Sequence, residues 1–105
     1  MDDLAAQLSA SVREPTNERE FGWALLALKA GQRVQRAGWN GKGMFIYLVP
    51  AASYPAQRGA AKAWAGEDAM IPYKAYLAMS TADGEVVPWL ASQTDLLAGD
   101  WRLLD

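Results

Sequence analysis

At 105 residues, 51% hydrophobic and 21% charged, the chain fits one globular domain and leaves little room for a second. A formal charge of −2 argues against a partner such as a nucleic acid polymer, whose binders carry a concentrated basic stripe. With no cysteine and no histidine, the chain lacks disulfides, thiolate chemistry, the commonest general base and the usual transition-metal ligand.

The opening Met1-Asp2-Asp3 is acidic where a secretion signal is basic, and the longest candidate for a span, the apolar run Met44 to Val49, no longer than Trp23 to Leu28, is too short to cross a bilayer. A cytoplasmic location without a membrane partner is therefore expected. Leu4, Leu8 and Val12 recur at helical spacing, so residues 1–14 are expected to form an amphipathic helix that Pro15 ends. Asn17 followed by Glu20 predicts an N-cap with a carboxylate reaching back to it. Gly31 predicts the C-terminal stop, placing a second helix over about 18–30. That helix has two apolar stripes, one of Phe21, Ala24, Leu25 and Leu28, the other of Trp23, Leu26, Ala27 and Ala30. A surface helix needs only one, so the second calls for cover from the first helix or from another subunit.

From Gly31 onward the period becomes strand-like. Residues 32–37 alternate weakly, and 38–43 form a loop whose Asn40-Gly41 pair favours positive φ. Residues 44–49 run without a polar break, as in a strand covered on both faces, and Pro50 closes them. Residues 51–72, rich in alanine, read as a long and partly helical connection, either a flap over a site or a loop with no task. Tyr73 to Ser80 and Glu85 to Trp89 predict a hairpin about Ala82-Asp83-Gly84, with Pro88 ending the second strand or placing it at an edge. Ser92 to Asp95 predicts a capping box on a helix of one or two turns that Gly99 stops, and Trp101 to Leu104 a last short strand. The expected fold class is α+β: a small antiparallel sheet with an N-terminal helical layer and a short C-terminal helix. The expected division is an N-terminal helical extension, 1–17, and a single α+β ligand-binding domain, 18–105.

Two segments concentrate candidate binding residues. One holds Arg36, Trp39, Asn40 and Lys42; the other holds Trp89, Ser92, Asp95, Asp100 and Trp101. An indole face stacks on a nucleobase while amides, hydroxyls and carboxylates orient a sugar, and Arg36 or Lys42 can neutralise a phosphate. Asp95 is expected to face sugar hydroxyls or a base edge, because in the first helical turn it would repel a phosphate. Each residue also has a plain structural reading. Trp39 and Trp89 can be core, Asn40 can serve its turn, Ser92 and Asp95 can cap their helix, and Asp100 can be a solvated carboxylate. No nucleophile elbow, phosphate loop or metal-ligand spacing is present, so binding without catalysis and without a cofactor is the better reading.

The run Phe21-x-x-Ala24-Leu25-x-x-Leu28-Lys29-x-Gly31, then Arg36-x-x-Trp39-Asn40-Gly41-Lys42, resembles the opening of a phage and prophage family, Thoeris anti-defence protein 2. The run Trp89-x-x-Ser92-x-x-Asp95-Leu96-Leu97-Ala98-x-Asp100-Trp101 resembles its close. The resemblance spans about residues 20–103, with the middle connection unmatched and residues 1–16 outside it. It implies a phage protein that binds and sequesters a cyclic ADP-ribose isomer, glycocyclic ADP-ribose, made by a bacterial TIR-domain enzyme, so that the effector never receives the signal. It also implies a homotetramer with ligand pockets between subunits, in the cytoplasm of the infected or lysogenic host. By motif position, Trp39 and Asn40 contribute from the first run and Trp89, Ser92, Asp95 and Asp100 from the second. The alternatives are sequestration of cyclic di- or trinucleotides of a CBASS-type system, and inhibition of a defence component by protein–protein contact.

Overall fold

The computed structural model describes residues 19–39, 43–66 and 68–104. The expected helix over 1–14 and the capping role of Asn17 lie outside them, as do Asn40 and Lys42.

In chain order the elements are α1 (Phe21–Lys29), β1 (Val34–Arg36), β2 (Phe45–Val49), β3 (Ala52–Pro55), α2 (Gly59–Ala65), β4 (Met70–Tyr73), β5 (Tyr76–Ser80), β6 (Val86–Pro88), α3 (Gln93–Leu97) and β7 (Trp101–Leu103). Five strands form an antiparallel sheet in the order β6-β5-β2-β1-β7, and β3 pairs with β4 in a separate two-stranded ribbon. This is the expected α+β class, with a helix before the sheet and a short one near the C-terminus.

Helix α1 lies across β1, β2 and β7 and touches α3. Its first stripe faces the sheet: Ala24 and Leu28 are buried with Val34, Ile46 and Trp101 in one apolar cluster. On the second stripe Trp23 and Ala27 only flank that cluster, and Leu26 is exposed. Gly31, at φ +88°, closes the helix in a Schellman arrangement, its N–H donating to Leu28 O and that of Gln32 to Ala27 O. The start of α1 departs from expectation. Glu20 is itself the N-cap residue, in extended conformation, and its side chain does not cap. A tertiary bond sets the approach instead: Arg19, at φ +85°, accepts the Trp101 N–H at 3.0 Å.

The stretch 51–72 also differs from a simple partly helical connection, because two strands flank its helix. The β2–β5 ladder ends at Val49↔Tyr76, and continuing the same register brings Ala52 opposite Tyr73, the first pair of β3–β4. The ribbon therefore prolongs the central hairpin beyond an unpaired step at Pro50, which has no N–H to give the ladder. Its apolar centre is small: among the described residues Ala56 and Ile71 are buried there, and Tyr54 is edge-on to Tyr73. At the far end of the sheet β6 stops at Pro88 as an edge strand, as expected.

Candidate functional site

The β1–β7 register places Arg36 opposite Trp101, and this pairing brings the two tryptophan-bearing segments together within one protomer. Helix α3 is held by the predicted capping box. Ser92 Oγ accepts the Asp95 N–H at 3.0 Å, and Asp95 Oδ2 accepts the Ser92 N–H at 3.0 Å and the Ser92 hydroxyl at 2.9 Å. Arg36 then joins three segments: Nη1 donates to Asp95 Oδ1 at 3.0 Å and Nε to Asp100 Oδ1 at 2.8 Å. Asp100 Oδ2 accepts the Gly38 N–H at 2.9 Å, and a Cβ at Gly38 would lie 3.0 Å from that oxygen. A side chain there would make the carboxylate give by a few tenths of an ångström.

Beneath this clasp the Trp101 ring is fully buried and its Nε1–H donates to Asp95 O at 2.9 Å. Trp39 and Trp89, both half-buried, pack edge-on to it at 5.5 and 6.0 Å, and Phe21 of α1 closes the cluster at 5.4 Å. Neither outer indole is sealed inside, so each combines a packing role with a presented surface.

The charges explain what the clasp can do. Its two carboxylates outnumber its one guanidinium, so its formal balance is negative. The hydrogen bond to Asp100, followed by that to Asp95, raises the Arg36 pKa. Arg36 lowers Asp100, chiefly through its hydrogen bond. Burial pushes Asp95 up, but the Ser92 amide and hydroxyl together with Arg36 outweigh it and leave it lowered. A ligand phosphate at Arg36 would compete with both carboxylates. Asp95 accepts three hydrogen bonds and its side chain is 14% exposed; Asp100 accepts two and is 31% exposed. An ionised carboxylate has about four acceptor positions. Asp100 is therefore the better placed of the two to take a sugar hydroxyl.

A second feature escaped sequence reasoning. A hollow of about 330 Å³ is lined by Gly31, Arg33, Phe45, Tyr47, Leu48, Ser80 and Val86. Alternation along β2 turns Phe45 and Tyr47 away from buried Ile46, so they sit on the sheet face opposite α1. The signal was the unbroken apolar run 44–49, which marks a strand with two occupied faces but does not say by what. Among the described residues, no group of acidic, histidine or cysteine side chains could hold a metal ion, and no helix is long and apolar enough to cross a membrane.

Comparison with known proteins places these features in a family. Residues 20–104 match the model of the Thoeris anti-defense 2-like domain. Over 85 residues the chain is 39% identical to a protein named Thoeris anti-defense 2 from Bacillus phage SP01, covering 80% of this chain and 92% of that protein.

Proposed function

The chain belongs to the Thoeris anti-defence 2-like family, and from that premise we propose that it blocks Thoeris signalling by binding and holding a cyclic nucleotide signal of the glycocyclic ADP-ribose type. An anti-defence role against Thoeris follows from the family itself. The finer reading is supported by one observation above others: the two indole-bearing segments meet, and both outer rings remain partly open beside a carboxylate with spare acceptor positions. Trp39 and Trp89, with the adjoining Asn40, would meet the base; Asp100, and Asp95 behind it, would meet ribose hydroxyls. Ser92 and Arg36 would hold those groups in place.

Sequestration without turnover suits this chemistry. Asp95 and Asp100 are pinned by hydrogen bonds and held below the usual carboxylate range, so neither carries a proton to give near neutral pH. The working form would be a homotetramer in the cytoplasm of the infected or lysogenic bacterium, with further cover for α1's second stripe. A protein–protein inhibitor is the competing reading, favoured by Leu90, ahead of α3 and 91% exposed, and Leu97, its last residue and 85% exposed.

Calorimetric titration of the purified protein tests the proposal. Glycocyclic ADP-ribose should bind with a dissociation constant on the order of nanomolar. Trp39→Ala and Trp89→Ala should each weaken it by roughly tenfold to a hundredfold, the scale of one lost base–aromatic stack. The ligand should be recovered intact after heat denaturation of the complex. Recovery of a cleaved product would identify an enzyme instead. A response only to cyclic di- or trinucleotides would move the protein to a CBASS-type signal, and no response to any nucleotide would favour the protein–protein inhibitor.

A further inference from the structure

We infer that the hollow beneath Arg33 is a binding site of its own, for a compact flat ring carrying a single oxyanion. Arg33, just ahead of β1, and Arg36, its last residue, have opposite circumstances. Arg36 is neutralised by two carboxylates, whereas no carboxylate among the described residues pairs with Arg33. The Arg33 guanidinium carbon lies 5.2 Å from the centroid of the Phe45 ring. The ring holds the cation in place, and the guanidinium N–H donors have no hydrogen-bond partner among the described residues, so they can grip a carboxylate or phosphate in a fork. In a chain of net charge −2, a cation that no described carboxylate neutralises, at the rim of an apolar hollow, selects for an anion.

The remaining walls describe the rest of the ligand. The Phe45 and Tyr47 rings stand 6.0 Å apart at 47°, and Leu48 and Val86 add aliphatic surface. The Tyr47 and Ser80 hydroxyls are the polar groups besides Arg33. A volume of about 330 Å³ lies at the lower end of the range for small-molecule pockets, which suits one ring system with one charged group. The scaffold is built in advance: Gly31 ends α1 with a positive φ, and Arg33 O accepts the Leu104 N–H at 3.0 Å, tying this segment to the chain just beyond β7. The hollow opens on the sheet face away from the Trp101 cluster, so it acts independently of the sequestration site.

The test is calorimetry on the full chain with two matched pairs of probes: adenosine 5′-monophosphate against adenosine, and indole-3-acetate against indole-3-acetamide. At least one charged probe should bind, with its neutral counterpart weaker by about tenfold or more, the scale of a charge-assisted hydrogen bond. A response to the nucleotide alone assigns a phosphate ligand; a response to indole-3-acetate alone assigns a carboxylate. Arg33→Gln should weaken binding about tenfold, Arg33→Lys should restore little of it because the fork is lost, and Phe45→Leu should weaken it while keeping the charge. Trp89→Ala should leave probe binding unchanged, and Arg33→Gln should leave glycocyclic ADP-ribose binding unchanged, so this site and the sequestration site fail separately. Equal binding of charged and neutral probes, no binding of any probe, or indifference to Arg33→Gln overturns the inference. So does a fall in oligomer size on Arg33→Gln with no change in probe binding, which would assign the face to a second copy of this chain.

Discussion

The clasp between β1 and β7 and the ribbon of β3 and β4 are both rich in aromatic residues, and they use them in opposite ways. At the clasp, Trp39, Trp89 and Phe21 converge on a fully buried Trp101, and its polar roof has named partners for the arginine and both carboxylates. On the ribbon, Trp64 is 79% exposed, Met70 is 59% exposed, and among the described residues there only Ala56 and Ile71 are buried. Aromatic content alone therefore says little about where stability resides. What matters is whether other elements converge on the ring. The clasp collects α1, β1, α3 and β7, while the ribbon has its own hairpin and one short helix.

Truncating one tryptophan in each region should show the largest contrast. Trp101→Ala removes the ring at the centre of the cluster and leaves Asp95 O without its indole donor, and should cost about 3–5 kcal/mol by urea denaturation. Trp64→Ala should stay within about 0.5 kcal/mol of the parent. Comparable losses in the two variants would break the comparison.

Arg36→Met sharpens it electrostatically. Two partly exposed carboxylates lose their cation, and stability at pH 7 should fall by about 2 kcal/mol. The acid limb should change as well. Folded-state pKa values of Asp95 and Asp100 are depressed, so their contribution is complete above the unfolded value of about 3.9 and is lost as pH falls through the lower folded values. Stability of the parent should vary little from these groups between about pH 5 and 7 and decline below about pH 4. In Arg36→Met that decline should be shallower, because the two carboxyls move back towards their ordinary range. A pH-by-denaturant series on both proteins checks the sign.

A smaller loss than at Trp101 or Arg36 should come from Ser92→Ala, which removes the cap of α3 for about 1 kcal/mol. Its ligand affinity should fall by more than its stability suggests if α3 positions Asp95 for binding, and calorimetry alongside denaturation separates the two.

Legibility followed the range of the interactions involved. The capping box of Ser92 and Asp95, the stop at Gly31, the turn at Gly84 and the edge strand ending at Pro88 were readable because each depends on a few neighbouring residues. The start of α1 was placed too early for the converse reason: Glu20 is the N-cap residue, Arg19 just ahead of it is bonded to Trp101, and a distant partner outweighs a local pattern. Strands β3 and β4 were missed because Ala52–Pro55 and Met70–Tyr73 have no clear alternation, and their pairing is inherited from the β2–β5 register beyond Pro50.

The candidate site divides along the same line. Periodicity and turn signals in the sequence pointed to the α+β class and to the two segments that hold Arg36, Trp39, Trp89, Ser92, Asp95 and Asp100, and the motif resemblance pointed to the family that comparison with known proteins then showed. Only the tertiary structure decided that Arg36 serves Asp95 and Asp100, 59 and 64 residues away, rather than standing free, and that Arg33 stands over Phe45 instead. Sheet order is the physical reason. Placing β7 against β1 delivers two carboxylates to one arginine, and no periodicity within either strand encodes which neighbour it will have.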